Sequence, residues 1–417
     1  MTSLTETEMG STHAMEAAFL WSMRDAATRA PVYDLADLAV VDERLEANLE
    51  GLRLHGDVGW ESAREGVEMG DAGEAFVATL FAMERRDLRG VAGVLDVTER
   101  RGALRKGIAA AVAWAPNELA GPVLAGLLHG GCPPEVQRIG IAASAARRRD
   151  PGQALGFALH ADHPGLRERA LRAAGELGRV DLRPEIRAAL DSEDRACRFA
   201  AAWAGALLGE PASTPVLWSL AAAESDCSER AAAMAARRAP GEAPARIDGL
   251  ARSGRGTREA IAAAGALGDP VLVPWLLEQM ASPALARRAA YAFATITGVD
   301  FAALELTAEP PEGFRAGPTD DPGDEDVAID PDGDLPWPDR LAVDRWWRLH
   351  RRELRAGTRH LLGKPIAPEW LEEVLTRAAQ PARAAAAVEL CLASVRRVLF
   401  EVRARAAEQR RALRRSG

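Results

Sequence analysis

Aromatic residues and lysine are scarce in this chain of 417 residues. Aromatic side chains make up 5% of it, with only 2 Tyr, and the only lysines among 52 basic residues are Lys106 and Lys364. Few of the residue types that favour strands are therefore available. Alanine, the strongest helix former, dominates a hydrophobic fraction of 48%. We expect an all-α protein, and we interpret the arginine bias as the coding bias of a GC-rich bacterial genome.

Long apolar runs, cysteine pairs and a basic charge excess are also missing. No stretch approaches the ~18 apolar residues that a membrane helix needs, and the polar, acidic N-terminus has no secretory signal. The four cysteines (132, 197, 227 and 391) form no CxxC pair, which is typical of free thiols in a reducing cytoplasm. The net charge of -9 provides no global field for nucleic acid. We expect a cytoplasmic protein without membrane contact.

Neither a phosphate-binding loop nor a G-x-S-x-G nucleophile motif occurs in the sequence. His160 and His163 have the spacing of a metal-binding pair on one helix face. Pro164 follows them, however, and no third ligand is near, whereas a zinc site needs three or four ligands. We therefore predict no catalytic residues, no metal site and no cofactor.

The acidic run Asp330-Pro-Asp-Gly-Asp334 is similar to the start of a calcium loop. An EF-hand places Gly at the sixth position and Glu at the twelfth, where this chain has Leu335 and Leu341. A solvated linker is the preferred interpretation, and weak cation binding by the clustered carboxylates is the alternative.

A repeat organises the middle of the chain. Residues 166–190, 197–220 and 257–280 each read as an Ala-rich amphipathic helix ending in Leu-Gly, a polar turn and a second helix. The interval of about 30 residues is typical of helix-turn-helix repeats. Such a unit buries its apolar face only by stacking on its neighbours. The predicted helix stops are glycines, which suit the left-handed C′ position: Gly178, Gly209, Gly241, Gly268 and Gly298.

These patterns divide the chain into five regions. The array holds roughly six units, and the region after the acidic insert contains one further repeat-like unit followed by a long last helix through Val388, Leu392, Val395, Leu399 and Val402. Its basic tail is interpreted as solvated or paired with the insert, with phosphate binding as an alternative. The regions are a disordered N-terminus (1–13), an N-terminal helical cap (14–87), the repeat array (88–300), an acidic Pro/Gly-rich insert (301–336) and a C-terminal helical region (337–417).

The N-terminal cap is predicted to be a pair of helices. The first runs from Ala14 to about residue 29 and places Met15 and Phe19 on one side, and the second runs from an N-cap at Asp34 to Leu52. Leucines at steps of three and four give the second helix one apolar face. We interpret the pair as an end cap with a solvated acidic face. The alternative is a docking face that exposes Trp21, Arg24 and Tyr33 to a protein partner.

Trp346 and Trp347 follow the acidic insert. Adjacent helical residues point about 100° apart, so one ring can be buried while the other is partly exposed. We expect both to pack, one on the array and one under the insert. The alternative is that one of them anchors a partner, as Trp often does at binding hot spots.

The repeats resemble HEAT repeats of the short type found in phycobilin-lyase-like proteins. The residues that carry this resemblance are the Arg-x-x-Ala-x-x-Ala-Leu-Gly style helices ending at 178, 209 and 268. A second resemblance spans residues 18–52, Gly59-Trp60, 359–366 and 380–390. It is to a family of proteobacterial HEAT-like proteins often encoded among type VI secretion genes. It implies a role in effector handling or assembly and supplies no catalytic residues.

Together these patterns predict an all-α, α-α superhelix (a HEAT-like solenoid) with an N-terminal helical cap and a C-terminal helical region. We expect a non-enzymatic scaffold or adaptor for a protein partner, which an extended groove would favour. A small-molecule-binding, lyase-like protein is the alternative and would show a pocket with convergent polar groups. Nucleic-acid binding is weaker, because Arg169, Arg172, Arg198 and Arg258 follow no tight register.

Overall fold

The computed structural model describes residues 3–317, 329–394 and 397–416. The predicted all-α, HEAT-like fold is confirmed, and the strands among the described residues form a single two-stranded hairpin. The chain separates into two compact units. Unit 1 contains residues 1–209 and 376–417, and unit 2 contains the continuous stretch 210–375 between them.

Unit 1 begins with twelve helices that include the N-terminal pair and the first repeats. Its core surrounds α4, which is buried along nearly its whole length because its sequence is apolar on all sides. The helices are α1 (Ser3–Ala27), α2 (Leu35–Leu54), α3 (Gly56–Met69), α4 (Ala72–Glu84), α5 (Leu88–Arg100), α6 (Arg105–Trp114), α7 (Asn117–Leu127), α8 (Pro134–Ala146), α9 (Gln153–Leu159), α10 (Pro164–Glu176), α11 (Arg183–Ala189) and α12 (Arg195–Leu207).

The N-terminal helices differ in part from their prediction. Asp34 caps α2 as predicted: its side chain accepts hydrogen bonds from the backbone N–H groups of Ala36 and Asp37, and the Asp37 carboxylate accepts one from the Asp34 N–H. Helix α1, however, begins at Ser3 rather than Ala14. The predicted stripe on it faces solvent, since Met15 is 61% and Phe19 63% exposed.

Close packing at small residues joins neighbouring repeats. A Cβ added at Gly175 of α10 would lie 2.7 Å from the Ala204 Cα of α12, so only glycine permits this approach. Four of the five predicted stop glycines have left-handed backbone, with φ between 67° and 75°. Gly241 is the exception, because α14 already ends at Arg238 and Gly241 is not in the left-handed region.

Unit 2 continues the helix pairs and carries the hairpin. The hairpin hydrogen-bonds to the ends of two repeat helices, with His360 N–H donating to the Gly268 carbonyl (2.8 Å) and Leu362 N–H to Thr295 (2.8 Å). The elements are α13 (Ser213–Ala221), α14 (Ser228–Arg238), α15 (Ala243–Arg252), α16 (Thr257–Leu267), α17 (Val273–Gln279), α18 (Pro283–Thr297), α19 (Arg340–His350), β1 (His360–Leu361), β2 (Lys364–Pro365) and α20 (Pro368–Arg377).

The C-terminal part of unit 1 is not the single long helix that the sequence predicts. Helix α21 (Gln380–Leu392) ends at Leu392, and α22 (Ala406–Ser416) begins only after an irregular stretch. Of the predicted stripe, Val395 lies outside the described residues. The backbone of residues 397–405, named here the crossing segment, is hydrogen-bonded to the repeats instead. Leu399 N–H donates to the Glu176 carbonyl (2.9 Å), and the Arg148 guanidinium donates to the Leu399 carbonyl.

Candidate functional site

A cavity of about 590 Å³ lies within unit 1. Its walls are the facing sides of α1, α6, α8 and α10, together with part of the crossing segment and the start of α22. We call it the inner cavity. Seven alanines in these walls, including Ala110, Ala142 and Ala146, leave the space open, because their side chains are too short to fill it.

Helical spacing brings charged side chains from neighbouring repeats to this wall. Helix α8 contributes Arg138, and α10 contributes Glu168, Arg169, Arg172 and Glu176. Residues three and four apart share one face of a helix, so the α10 side chains point into the same space. Eight basic and five acidic side chains line the cavity in all, which gives its wall a net positive charge.

Arg24 attaches the crossing segment to α1 and α2. Its Nη1 donates to the Arg403 carbonyl (2.9 Å) and its Nη2 to the Ala404 carbonyl (2.8 Å), while Nε pairs with Asp42. The second carboxylate oxygen of Asp42 accepts the Ala406 N–H at 2.7 Å. Two side chains of the N-terminal pair therefore hold the far wall of the inner cavity in place.

Two buried carboxylates, Glu176 of α10 and Glu401 of the crossing segment, share Arg148 as an ion-pair partner. Glu176 accepts from Arg169 (2.7 Å) and Arg172 (3.1 Å). Burial alone would raise the pKa of Glu176, but the neighbouring guanidinium groups keep it below its ordinary value. Glu401 is likewise buried, yet the positive charges of Arg403 and Arg148 hold its pKa at about 2. Both groups are therefore charged at neutral pH.

Three arginines of the inner cavity keep unused donors. Nη1 of Arg169 is buried and has no hydrogen-bond partner in the part of the chain that the structure describes. Arg172 uses only its Nε on Glu176, and the ion pair of Arg138 with Glu135 is 3.6 Å long. Side chains of Arg138 and Arg172 are 40% and 36% exposed, so a ligand can reach both. This arrangement can accept an anion.

Aromatic rings in this wall are already covered. Trp21 stacks on Phe76 with ring centroids 5.3 Å apart, and the guanidinium groups of Arg24 and Arg405 lie 4.9 and 4.7 Å from the Trp114 ring. Each of these contacts is a favourable stacking or cation–π geometry. The inner cavity therefore offers charge rather than a free aromatic surface.

The residues predicted to dock a partner are mostly enclosed. Trp21 and Arg24 are each 5% exposed, so the alternative of a docking face that exposes them is wrong for these two residues. Trp21 packs in the core of unit 1, and the Arg24 guanidinium binds Asp42 and the crossing segment. Both still border the inner cavity. Tyr33 is half-buried, and its carbonyl accepts the Gln380 N–H at 2.8 Å. Partner binding by these side chains stays a prediction.

Trp346 and Trp347 both contact the same ring in unit 2. Their centroids lie 5.8 and 6.3 Å from that of Phe293, in edge-on geometry. Trp347 is buried and Trp346 half-buried. The structure thus places them in a packing cluster on α18, and their predicted role as partner anchors stays a prediction.

The acidic insert is bound to the repeats of unit 2. Asp332, only 4% exposed, accepts from both Nη atoms of Arg258 at 2.8 and 3.0 Å. Asp330 pairs with Arg287, whose guanidinium also faces the rings of Phe314 and Trp337. The prediction of a solvated linker at 330–334 is therefore wrong for Asp332, because two repeat arginines hold it. Residues 318–328 of the predicted insert lie outside the described residues.

Two arginines at the start of the basic tail pair with carboxylates of unit 1. Arg403 pairs with Glu401 at 3.0 Å, and Arg405 pairs with Glu46 at 3.3 Å, both within unit 1. His163 is also satisfied locally: it caps α10 by accepting the Leu166 N–H and lies 3.3 Å from Glu135. Within residues 3–317, 329–394 and 397–416, no three His, Cys, Asp or Glu side chains are grouped to hold a metal.

A second cavity of about 850 Å³ lies in unit 2, between α13, α15 and the start of α16. Its charged lining consists of two arginines and two glutamates, which balance each other. Its other lining residues are mainly small or apolar, so it has no excess of either charge. The inner cavity of unit 1 is therefore the stronger candidate for a charged ligand.

Sequence reasoning missed the residues that shape the inner cavity: Arg138, Arg148, Glu176 and Glu401. One signal was available for Arg148, which takes the left-handed conformation (φ 54°) at the helix end where later repeats have glycine. A residue other than glycine at that position indicates that its side chain is needed. Nothing in the local sequence connects it to Glu401, more than two hundred residues away.

The family model for HEAT repeats matches residues 153–237. This span runs from the start of α9 to the end of α14 and covers three successive helix pairs. The match supports HEAT repeats as the basis of the array, so the chain is an all-α protein built on HEAT-like repeats. No curated protein and no solved structure matches the chain. None of the described helices is long and apolar enough to cross a membrane.

Proposed function

We propose that the protein is a non-enzymatic scaffold or adaptor of the bacterial cytoplasm, and that the inner cavity of unit 1 holds part of a protein partner. HEAT repeats commonly mediate protein interactions, and repeat arrays present concave binding surfaces. The observation that carries the scaffold function is the match of residues 153–237 to HEAT repeats. The inner cavity, about 590 Å³ in volume and lined by eight basic against five acidic side chains, is where we place the partner.

A component or effector of a type VI secretion system is the partner we favour. This part of the proposal rests on the resemblance of residues 18–52 and 359–366 to a proteobacterial family encoded among such genes. An adaptor that handles effectors needs a binding surface rather than a reaction centre. Arg138, Arg169 and Arg172, which have unused hydrogen-bond donors, provide such a binding surface.

Affinity capture with matched variants tests the proposal. The double variant R138A/R172A removes two cavity arginines. Arg169 and Arg148 still neutralise Glu176, and Arg138 loses an ion pair of 3.6 Å, whereas Arg172 loses its hydrogen bond to Glu176 and its contact with the Trp203 ring. The control R252A/R348A changes two exposed arginines of unit 2 that line neither cavity. We expect mass spectrometry to find a partner with the wild type and the control but not with R138A/R172A.

Two outcomes would contradict this proposal. One is recovery of no protein above background with the wild type. The other is recovery of the same proteins at the same level with all three forms, since the inner cavity would then be irrelevant to the interaction. Circular dichroism of R138A/R172A confirms that any loss of capture does not come from unfolding.

A small-molecule-binding function is the second candidate. The observation that favours it is the convergence of charged side chains in one cavity, with the pKa values of Glu176 and Glu401 both lowered by arginines. Native mass spectrometry of the protein purified from its host would show a bound compound as an added mass. Loss of that mass in R138A/R172A would favour this candidate over the scaffold.

Nucleic-acid binding has less support. The five carboxylates that share the inner cavity would repel a phosphate backbone, and the Trp114 ring, already contacted by two arginines, offers no stacking platform for bases. Filter binding with a labelled single-stranded oligonucleotide tests this. Retention that falls in R138A/R172A would revive the nucleic-acid hypothesis.

A further inference from the structure

We infer that the inner cavity recognises paired carboxylates on an acidic segment of the partner, and that Arg138, Arg169 and Arg172 bind them. This inference rests on the proposed scaffold function and specifies the chemistry of its partner. It predicts a partner segment with two Asp or Glu side chains close in sequence.

The unused donors of these arginines provide the first argument. Arg169 presents a buried Nη1 without a hydrogen-bond partner among the described residues, and such a group costs free energy until it is satisfied. Arg172 and Arg138 add guanidinium groups that are partly open to solvent. A carboxylate fits a guanidinium group because it can accept two parallel hydrogen bonds from it.

An equivalent arginine in unit 2 provides the second argument. Arg148 and Gly268 each end a repeat helix with a left-handed backbone. Arg138 lies ten residues before Arg148, and Arg258 lies ten residues before Gly268. The two arginines therefore occupy the same position of their repeats. Arg258 binds Asp332 with two hydrogen bonds, of 2.8 and 3.0 Å. An arginine at this repeat position therefore already binds a carboxylate elsewhere in this chain.

The bound segment in unit 2 shows that two carboxylates of one short segment bind arginines of adjacent repeats. Asp330 and Asp332 bind two different repeat helices, since Arg258 belongs to α16 and Arg287 to α18. An Asp-x-Asp pair can therefore bridge arginines from adjacent repeats. In unit 1, Arg138 of α8 and Arg172 of α10 also stand on neighbouring packed helices and line one cavity. Arg172 lies six residues before Gly178 and Arg287 eleven before Gly298, so the two arginine pairs share the use of adjacent repeats but not the same spacing.

The other charges of the inner cavity favour carboxylates over phosphate groups. Glu168 and Glu408 also line it, and their negative charges penalise a polyphosphate more than a pair of single charges. The aromatic groups that would stack on bases are covered by arginines or by Phe76. A short acidic peptide satisfies the free donors without needing an aromatic platform.

Fluorescence anisotropy with the full chain tests the inference. The probe is a labelled peptide with blocked ends that contains Asp-Pro-Asp, and the matched control peptide contains Asn-Pro-Asn. We expect the acidic peptide to bind, with an affinity that falls as salt is added, and the amide peptide not to bind. R138A/R172A should weaken binding by about tenfold or more, whereas R252A/R348A should leave it unchanged.

The outcomes separate this inference from the scaffold function. If R138A/R172A loses the captured partner but neither the wild type nor the variants bind the acidic peptide, the carboxylate chemistry is wrong and the scaffold function stands. If the peptide binds equally well to wild type and R138A/R172A, the assigned site is wrong. Tighter binding of a single-stranded oligonucleotide than of the peptide would also overturn the inference. Arginine-dependent peptide binding without a captured partner would support the site and contradict the scaffold.

Discussion

Substitution of Glu401 by glutamine tests how the crossing segment is held. The Glu401 carboxylate accepts from the Arg403 N–H, Nε and Nη2, each at 3.0 Å, and lies 3.4 Å from Arg148 Nη2. These contacts lower its pKa from 4.5 to about 2, despite burial that would raise it. A difference of that size between folded and unfolded chain corresponds to about 3 kcal/mol of stability near neutral pH.

The sign of the pH dependence follows from the lowered pKa. Stability from Glu401 is fully present above 4.5, where the unfolded carboxyl is also charged, and is lost as the pH falls toward 2. E401Q should therefore be less stable than the wild type by about 3 kcal/mol near neutral pH, and the difference should shrink steadily below 4.5. Urea unfolding over a series of pH values measures this difference.

Hydrogen exchange locates the effect and provides the control. In E401Q, amides of the crossing segment should lose protection first, because the substituted side chain belongs to that segment. Glu408 also borders the inner cavity but is exposed, so E408Q is the matched control and should leave both stability and exchange unchanged. An E401Q protein as stable as the wild type, or a stability difference that does not shrink in acid, would refute the assigned role of Glu401.

Three further predictions concern other parts of the fold. Gly268→Ala should lower the stability of unit 2, measured by urea unfolding, by more than the roughly 1–2 kcal/mol that left-handed strain costs, because the new Cβ would also meet the His360 carbonyl. Gly254→Ala is the control, since Gly254 has a similar φ and open space around its Cβ position. Cys391 should react with a thiol reagent far more slowly than half-buried Cys132, since burial raises the pKa of Cys391 to about 11, and equal rates would contradict this. Arg24→Lys should increase hydrogen exchange in the crossing segment, because lysine cannot contact Asp42 and two carbonyls at once.

Local patterns predicted the second N-terminal helix well. Asp34 is followed by a leucine stripe at steps of three and four, and both the cap and the buried face are confirmed by the structure. The first helix shows the limit of such patterns. Large side chains suggested that Met15 and Phe19 face the core, whereas Ala14, Ala17 and Ala18 do so. Leu20 and Trp21 are buried beside these alanines, so the buried face of α1 combines small and large side chains, and side-chain size alone does not identify it.

The inner cavity could not be predicted, because its wall joins residues that are distant in sequence. Arg24 contacts the Arg403 carbonyl, and Arg148 contacts Glu401, only after the chain has returned from unit 2. The sequence showed the arginines of α10 but not their register against α8, which depends on how the repeats stack. The periodic stripe from Val388 to Val402 was misleading, since those apolar residues also suit an irregular segment whose backbone bonds to neighbouring helices.

Unit 1 is discontinuous in the chain, and this sets an order for its formation. The ribosome completes residues 210–375, which takes on the order of ten seconds or more, before it delivers residues 376–417. During that time the α1 and α2 side chains that later hold the crossing segment, Arg24 and Asp42, have no crossing segment to bind. The inner cavity thus gains its last wall only after unit 2 has been synthesised, and a partner that needs this wall can bind only after translation has passed residue 408.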